Sequence, residues 1–418
     1  MQLFPATLQG SIAAIPSKSV AHRLFIAASL SDTPSCWHLP TSSVDIDTTL
    51  ACLAALGAQI EKKGDWIHIA PIEQSTTSAT LNCQESGSTL RFLLPVAAAL
   101  KGAYQFIGCG RLPERPIDDF LNTLEQLGAT TSHPRLPLTI QGPLYGKEVH
   151  LTGHISSQYL TGLLLAAPLL DEGLHIHLTT PLQSRPYVDI TLGILKQFGI
   201  TVEEDGTDFH VLPHQQYQCP IHKGTIEGDW SNAAFFLAAG AISHAVTVTG
   251  LNTKSAQGDA AILKILEDFG AEISIQGDAI TVAPAPLKGQ TISVKEMPDL
   301  LPILAVVAAN AEGETLFTDV ERLRLKESDR LVTTSQLLQA IGVECQVDAH
   351  TMRVQGGRPF HVKGSVDSAN DHRIVMATAI AALNTNGPLT LTGTQAVTKS
   401  YPHFFEDYQQ LGGICHGI

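Results

Sequence analysis

A glycine-containing motif recurs six times in this chain at an almost constant spacing. In each copy, two apolar or aromatic residues three positions apart precede a glycine. The six glycines are separated by 71, 71, 71, 72 and 70 residues, and they are Gly57, Gly128, Gly199, Gly270, Gly342 and Gly412. An apolar pair at i and i+3 followed by glycine is typical of a helix end, because glycine readily adopts the left-handed conformation found there. The chain is therefore predicted to contain six copies of one structural unit.

The segments after the glycines indicate what each unit contains. After five of them come two short strand-like runs, such as 58–61 and 65–70, with Gly64 in the turn between them. A further strand and a second helix follow, so each repeat is interpreted as strand, helix, strand, helix, strand, strand. The sixth copy ends almost at its glycine, and the first strand of the chain is expected to complete a repeat begun elsewhere. This favours a chain that starts in one domain, builds the other, and returns.

The second helix of each repeat has a polar start and an apolar body. A helix that is apolar all round must be buried, so polar residues at the N-terminal ends alone indicate that these ends meet in common space. Three helix ends per domain, facing each other, would focus positive potential on one cleft. The polar starts are Ser17-Lys18-Ser19, Ser86-Gly87-Ser88-Thr89, Ser156-Ser157-Gln158, Asp229-Trp230-Ser231-Asn232, Pro298-Asp299 and Asn370-Asp371-His372-Arg373.

Composition narrows the class of protein. A chain of 418 residues is too long for one core, so at least two domains are expected. The net charge of -14 argues against a nucleic-acid binder or a membrane-surface protein, because both need a basic face. Seven scattered cysteines without a C-x-x-C pair predict no disulfide framework and no zinc site, and favour a reducing, cytoplasmic location. Neither a signal peptide nor a membrane span is expected.

Basic residues are concentrated at the helix starts and on short polar loops. Either internal salt bridges or a multiply anionic ligand must balance them, and arginine binds phosphate and carboxylate in a bidentate manner. Eleven of the 26 lysines and arginines belong to this set, namely Lys18, Arg23, Arg91, Arg115, Arg185, Arg322, Arg324, Lys326, Arg330, Arg373 and Lys399. Asp299 and Glu327 lie close by in the sequence, as a helix cap or a charged turn, or as a general base and a general acid. No metal-ligand spacing, dinucleotide loop or Walker loop is present, so neither a metal nor a cofactor is predicted.

Long motifs throughout the chain resemble the 5-enolpyruvylshikimate-3-phosphate (EPSP) synthase family of enolpyruvyl transferases. The motifs are PSKSVAHR (16–23), ESGSTLRFL (85–93), LPERPI (112–117), SSQYLTGLL (156–164), SRPYVDITL (184–192), EGDWSNAAFFLAAGA (227–241), MPDLLP (297–302), LKESDRL (325–331), NDHRIVMA (370–377) and TKSYPHFFE (398–406). The resemblance implies an α/β (α+β) fold, a two-domain inside-out α/β barrel with six βαβαββ repeats, three per domain. The expected domains are 1–16 plus 227–418 and 17–226, with hinge crossovers near 15–18 and 224–229.

The resemblance also implies the substrates and the residues that bind them. Family members transfer the enolpyruvyl group of phosphoenolpyruvate to the 5-hydroxyl of shikimate 3-phosphate and release phosphate, in the pathway to chorismate and the aromatic amino acids. Shikimate 3-phosphate would contact Lys18, Ser19, Arg23, Ser156, Ser157, Gln158, Ser184, Tyr187, Asp299 and Lys326. Phosphoenolpyruvate would contact Lys18, Gly87, Arg115, Gln158, Arg330, His372, Arg373 and Lys399. Asp299 would accept the hydroxyl proton, Glu327 would protonate the methylene, and Lys399 and Lys18 would assist.

Two positions depart from the family pattern. Glu85 stands where many members have asparagine, close to the implied phosphoenolpyruvate pocket, and Arg322 stands where related members have asparagine. No substrate contact is assigned to Arg322. Gly87 keeps the small residue beside which the herbicide glyphosate fits in the family, so sensitivity to it is an open expectation.

Two alternative functions stay open at this point. A UDP-N-acetylglucosamine enolpyruvyl transferase shares the fold but uses a loop cysteine as acid, and the cysteine nearest to a basic residue here is Cys109, before Arg111. A non-enzymatic repeat scaffold would need a basic inner face or an exposed apolar surface. That alternative does not explain why Asp299, Glu327 and Arg373 fall at or just before the same position in successive repeats. The expected partners are small-molecule substrates, with no nucleic acid and no membrane, and a monomer is expected.

Overall fold

The structure is a computed structural model that describes residues 1–154 and 156–417. The chain divides into two compact units. We call Pro16–Ile226 the continuous unit, and Met1–Ile15 together with the chain from Glu227 onward the split unit. Each unit has its own hydrophobic core.

Twelve α-helices and twenty-four strands are present in the described residues. The helices are α1 Lys18–Ser29, α2 Val44–Leu56, α3 Gly87–Ala99, α4 Asp118–Gln126, α5 Ser157–Ala166, α6 Arg185–Gln197, α7 Trp230–Ile242, α8 Ile262–Phe269, α9 Leu301–Asn310, α10 Arg330–Ala340, α11 His372–Ala381 and α12 Phe404–Gln410. The first twelve strands are β1 Gln2–Phe4, β2 Gly10–Ala13, β3 Ser35–His38, β4 Gln59–Lys63, β5 Trp66–Ala70, β6 Ser78–Asn82, β7 Ala103–Ile107, β8 Thr130–Thr131, β9 Leu138–Gln141, β10 Glu148–Leu151, β11 Leu174–Leu178 and β12 Val202–Asp205. The others are β13 Asp208–Val211, β14 Lys223–Thr225, β15 Val246–Thr249, β16 Glu272–Gln276, β17 Ala279–Ala283, β18 Thr291–Ser293, β19 Gly313–Thr318, β20 Glu344–Val347, β21 Thr351–Gly356, β22 Val366–Asp367, β23 Leu389–Thr392 and β24 Ile414–His416.

The strands form six four-stranded sheets, three in each unit, and every sheet has the same plan. In the order β10-β11-β13-β12, the first pair is parallel and the next two pairings are antiparallel. A parallel pair needs a crossover, which a helix supplies, and the last two strands form a hairpin. The predicted βαβαββ repeat is confirmed.

The repeats at the chain crossovers are completed by strands distant in sequence. Strand β14 pairs parallel with β3, so the repeat that contains α1 takes its first strand from 223–225. Strand β2 pairs parallel with β15 and begins the repeat that contains α7. Strand β1 pairs with β23 and β24, and thereby supplies the last strand of the sixth repeat, as the sequence predicted.

The six repeat glycines end or directly follow one helix of each repeat with a positive φ, between 78° and 121°. A residue with a side chain is strained in most of this range, whereas glycine is not. The helices with the polar starts are α1, α3, α5, α7, α9 and α11, and each is the first helix of its βαβαββ repeat. They are largely buried; in α9, for example, every residue from Leu301 to Ala309 is buried. The charged and histidine side chains of these helices lie in their first two turns. Within the described residues, no helix is both long enough and apolar enough to cross a bilayer.

Candidate active site

At most of the polar helix starts, a side chain caps the helix. Ser17 accepts from the backbone N–H of Val20 at 3.4 Å. Equivalent caps are made by Ser86, Ser156, Asp229 and Asp371. Side-chain oxygens at this position satisfy N–H groups that the helix itself leaves without partners.

Asp299 does not cap a helix. It lies in a short 3₁₀ turn, Pro298–Leu300, that leads into α9. Its carboxylate accepts from Arg330 Nη1 at 2.6 Å, from Arg373 Nη2 at 2.8 Å and from Lys326 Nζ at 3.2 Å. A carboxylate at the centre of three cations is the main electrostatic feature of the split unit.

The surrounding charges determine the ionisation of Asp299. Burial by itself would raise the pKa of this carboxyl, because a low-dielectric environment disfavours the charged form. The positive charges of Arg373, Lys326 and Arg330 outweigh burial and hold the pKa of Asp299 well below its ordinary value of 3.8. Asp299 is therefore ionised at neutral pH, in the form that can accept a proton.

Arg330 joins three carboxylates. It is the first residue of α10, and its side chain is only 1 % exposed. Besides Asp299, it contacts Glu327 through Nη2 at 2.6 Å and Asp371 through Nε at 2.8 Å. Nearby carboxylates raise the pKa of Arg330 well above its ordinary value, against the opposing effect of burial. One buried guanidinium thus fixes Asp299 and Glu327 next to each other.

A second buried carboxyl lies on the other side of Arg373. Arg373 Nη1 donates to the backbone oxygen of Ser231 at 3.4 Å, and the hydroxyl of Ser231 donates to Asp259. Asp259 is 3 % exposed, and its Oδ1 atom has no hydrogen-bond partner in the described residues. Burial, reinforced by the negative charge of Asp299, raises the pKa of Asp259 from 3.8 to about 6.

Asp259→Asn is expected to become increasingly stabilising, relative to the wild type, as the pH rises. A carboxyl with a raised pKa in the folded state stabilises the fold below its unfolded pKa of 3.8 and loses that contribution as the pH passes about 6. The difference in free energy of unfolding between the variant and the wild type should shift by about 2–3 kcal/mol in favour of the asparagine variant between pH 4 and pH 7. Urea unfolding at several pH values measures it. The exposed Asp278→Asn variant is the control, and an equal shift in both variants would contradict the assignment.

Two other predicted residues of the split unit, Lys399 and His372, lie at the start of α11, the helix that contains Arg373. The Nζ atom of Lys399 donates to the backbone oxygen of Asn370 at 2.7 Å, and Lys399 is buried. Asn370 immediately precedes the capping residue Asp371, so Lys399 lies at the start of α11. His372, the first residue of that helix, is buried as well.

In the continuous unit, Arg23 is a buried cation with neutral partners. It donates to Thr191 Oγ1 at 2.8 Å and to the backbone oxygens of Ser19 and Tyr187 at 2.7 and 3.0 Å. No carboxylate within residues 1–154 and 156–417 forms an ion pair with it. Burial lowers the pKa of Arg23 to about 9, so the guanidinium is still charged at neutral pH. A buried charge without a countercharge is costly unless an anion binds beside it.

Gly87 leaves room for two guanidinium groups. A β-carbon at this position would lie 2.6 Å from Arg115 Nη1 and 2.7 Å from Arg91 Nη1. The Nε atom of Arg115 is buried without a hydrogen-bond partner, and no ion pair joins Arg115 to a carboxylate of the described chain. Two cations close to the start of α3, where backbone N–H groups also point, form an anion-binding environment.

Further predicted residues lie at helix starts of the continuous unit. Gln158 accepts from Arg91 at 3.1 Å and donates to Ser88 at 3.0 Å, which joins the starts of α3 and α5. Lys18 forms an ion pair with Asp45 at 2.8 Å at the start of α1. Three serines of the predicted set lie at helix starts of the same unit, namely Ser156, Ser157 and Ser184.

Several residues of these two clusters, one in each unit, were not identified from the sequence. Asp371 was noted only as a neighbour of Arg373, and Asp45 and Asp259 carried no motif. Arg91 was placed among the basic residues but not in the site. Conversely, two basic residues of the predicted set, Arg185 and Arg324, are engaged by carboxylates of their own unit.

The position of Glu85 is now defined. A β-carbon built on Gly110 would lie 2.5 Å from the Glu85 carboxylate, so this side chain lies against the loop before Arg111. Arg322 lies in the 3₁₀ turn Glu321–Leu325.

The chain was compared with known proteins. The family model described as EPSP synthase (3-phosphoshikimate 1-carboxyvinyltransferase) matches residues 4–408. A 3-phosphoshikimate 1-carboxyvinyltransferase of Clostridium novyi is 38 % identical over 428 residues, which cover 99 % of this chain and 98 % of the relative. One of Clostridium kluyveri is 39 % identical over 416 residues, with 98 % and 96 % covered. A solved structure of an EPSP synthase from Acinetobacter baumannii matches with a TM-score of 0.80 at 25 % identity, covering 98 % of each chain. The chain belongs to the EPSP synthase (3-phosphoshikimate 1-carboxyvinyltransferase) family.

Proposed function

We propose that this protein transfers the enolpyruvyl group of phosphoenolpyruvate to the 5-hydroxyl of shikimate 3-phosphate and releases phosphate. The observation that carries the proposal is that one buried guanidinium, Arg330, contacts both Asp299 and Glu327. Addition of a hydroxyl to an enol requires a base for the hydroxyl proton and an acid for the methylene carbon, in fixed positions. The two carboxyl groups supply this pair, with Asp299 as the ionised base and Glu327, in its protonated form, as the acid.

The cations and hydroxyls at the helix starts support the proposed binding of shikimate 3-phosphate. Arg23 supports the assignment most strongly, because a ligand anion would supply the countercharge that it lacks within the described chain. The residues proposed to bind this substrate are Lys18, Ser19, Arg23, Ser156, Ser157, Gln158, Ser184, Tyr187, Asp299 and Lys326.

Phosphoenolpyruvate carries a phosphate and a carboxylate, and it is proposed to bind to guanidinium groups. Arg115, beside Gly87, supports this assignment as Arg23 does for shikimate 3-phosphate, because it forms no ion pair with a carboxylate of the described chain. The residues proposed to bind phosphoenolpyruvate are Lys18, Gly87, Arg115, Gln158, Arg330, His372, Arg373 and Lys399.

Binding of an anion is proposed to activate Asp299. In the structure, Arg330 and Arg373 hold this carboxylate at 2.6 and 2.8 Å. A phosphate or carboxylate that takes over part of these guanidinium contacts weakens their hold on Asp299, and its basicity rises. The base would therefore be strengthened only when phosphoenolpyruvate is bound, which avoids a permanently basic carboxylate in the empty site.

The proposed reaction has two acid–base stages. In the first, Asp299 takes the proton of the 5-hydroxyl, and the hydroxyl oxygen bonds to C2 of phosphoenolpyruvate. Glu327 protonates C3, which yields a tetrahedral ketal phosphate. In the second, Glu327, which is now a carboxylate, takes a proton from the new methyl group while the C–O bond to phosphate breaks. The leaving phosphate takes the proton held by Asp299, and an enol ether and inorganic phosphate result. Lys399 and Lys18 are proposed to stabilise the negative charge of the phosphate as it leaves.

Protein side chains supply every proton transfer in this scheme, so no cofactor is proposed. We further propose that the enzyme is a cytoplasmic monomer. Both substrates are phosphorylated metabolites, and the scattered cysteines suit a reducing compartment. Each unit encloses its own core, which supports a monomer.

A choice between acceptors tests the proposed function. Phosphate release is measured with phosphoenolpyruvate and either shikimate 3-phosphate or UDP-N-acetylglucosamine. Continuous release is expected with shikimate 3-phosphate alone. Release only with the nucleotide sugar would select the other enolpyruvyl transferase, and release with neither from folded protein would refute both.

Gly87→Ala is expected to raise the KM for phosphoenolpyruvate by about tenfold or more, which corresponds to about 1.4 kcal/mol of lost binding. The added methyl group would overlap the guanidinium atoms of Arg115 and Arg91 and displace them. The control is Gly193→Ala in α6, where a β-carbon has no neighbour within 4 Å. Steady-state kinetics of both variants test this, and an unchanged KM in Gly87→Ala would show that Arg115 does not bind this substrate.

A further inference from the structure

One sheet of the continuous unit carries a group of histidines and carboxylates on its outer face. In β11, Leu174, Ile176 and Leu178 are buried, while His175 and His177 between them point away from the core. The alternation follows from the strand period of two residues. The pairing register places Glu148 and His210 on either side of His175, and His150 and Asp208 on either side of His177.

The side chains of this group are close enough to share a ligand. One donor atom each from His175, His177 and Asp208 lie within 4.8 Å of one another. The Nδ1 atom of His177 lies 2.6 Å from Asp208 Oδ1, and its Nε2 atom lies 3.1 Å from Glu148 Oε1. The ring centroids of His175 and His177 are 3.9 Å apart.

We propose that His175, His177 and Asp208 bind a divalent transition-metal ion of the Zn²⁺ type. Two imidazoles and a carboxylate form a ligand set typical of Zn²⁺, with an open position for water or a further carboxylate. Ligand atoms about 2.0–2.2 Å from the metal lie about 3.3 Å from each other in a tetrahedron. Small side-chain rotations would bring the three donor atoms to this separation. Glu148 is placed to accept from the second nitrogen of His177 or to become the fourth ligand.

The charge around the site supports a dication. Glu203 lies opposite His210, and Asp205 lies opposite Asp208, so carboxylates border the histidines on the neighbouring strand β12. The neutral imidazoles of His175 and His177 carry no charge, so the carboxylates of Asp208 and Glu148 together balance the two positive charges of the metal ion. The ion would join β11 to β13 and stabilise the continuous unit.

The sequence alone predicted no metal site, because no histidine, cysteine or acidic cluster has metal-ligand spacing. His177 and Asp208 are 31 residues apart and meet only through antiparallel pairing of β11 with β13. The ligands lie on the solvent-facing side of the sheet, whereas the proposed catalytic residues of this unit lie at helix starts. The metal is therefore expected to affect stability and not turnover.

Isothermal titration of untagged, chelator-treated protein with Zn²⁺ tests the proposal. The wild type should bind one ion per chain with saturable affinity. His177→Asn and Asp208→Asn should each weaken binding by about tenfold or more. The control is His350→Asn, because His350 is an exposed imidazole 2.5 Å from Glu321 Oε1 that belongs to no three-ligand group among the described residues. This variant should bind as the wild type does.

Two further measurements use the same proteins. Zn²⁺ should raise the thermal unfolding midpoint of the wild type and of His350→Asn, but not that of His177→Asn. Co²⁺ should give a visible absorption band in the wild type that is lost in Asp208→Asn. Absence of saturable binding to the wild type, or equal binding by all variants, would overturn the proposal; circular dichroism confirms that each variant is folded.

Discussion

Asp299→Asn is expected to lower kcat by about 10²–10⁴-fold, the range for removal of a general base. Asparagine keeps the shape of the side chain and can still accept from Arg330 and Lys326, but it cannot take the proton of the 5-hydroxyl. The loss should therefore appear in kcat, measured as phosphate release at saturating concentrations of both substrates. The substitution also removes a negative charge from a cluster of three cations, so binding of anionic substrates should not weaken.

Equilibrium titration with shikimate 3-phosphate separates this interpretation from a structural one. The variant should bind that substrate with a Kd within a few-fold of the wild-type value. Asp319→Asn is a suitable control, because Asp319 is exposed and its φ of 60° is a conformation that asparagine tolerates. A near-normal kcat in Asp299→Asn would remove this residue from the mechanism, and loss of binding together with kcat would give it a structural role instead.

Arg330→Gln is expected to cost about 3–5 kcal/mol of stability and to abolish turnover, because the fully buried carboxylate of Asp371 loses its cationic partner. Three carboxylates contact this guanidinium, and Asp371 among them is fully buried. Urea unfolding measures the loss. Arg353→Gln is the matched control, since Arg353 pairs with Glu314 at 2.9 Å but is 44 % exposed, and it should change stability by less than about 1 kcal/mol.

A second substitution shows where the cost of Arg330→Gln arises. In the double variant Arg330→Gln/Asp371→Asn, the most deeply buried carboxylate is neutral as well, so part of the lost stability should return. Turnover should not return, because Glu327 and Asp299 still lack their common partner. Additive destabilisation by the two substitutions would contradict the inferred coupling.

The repeat architecture could be predicted from the sequence because its signals are local. A glycine after an apolar pair requires only that a helix end there, and a serine or aspartate before an apolar run requires only an N-cap. Six copies at nearly equal spacing turn weak local signals into a strong one. The completion of the sixth repeat by β1 also followed, because the last copy lacked room for its final strand.

Contacts between distant segments could not be predicted in the same way. From the sequence, Asp371 was only a neighbour of Arg373. It caps α11, and its role as partner of Arg330 depends on the packing of α10 beside α11. Asp259 lies in the 3₁₀ turn Gly258–Ala261, which carries no motif, and its raised pKa comes from burial that no sequence pattern encodes. The histidines of β11 meet Asp208 only through strand register. The choice between internal ion pairs and a ligand anion was likewise open until Arg330 was found among carboxylates and Arg23 among neutral groups.

The central claim, transfer of the enolpyruvyl group to shikimate 3-phosphate, is tested most directly by ³¹P nuclear magnetic resonance of the wild-type enzyme with equimolar substrates. The phosphoenolpyruvate resonance should disappear while inorganic phosphate and a new phosphate-ester resonance of the product appear in equal amounts. Disappearance of phosphoenolpyruvate with the shikimate 3-phosphate resonance unchanged would mean hydrolysis without transfer, and would contradict the account.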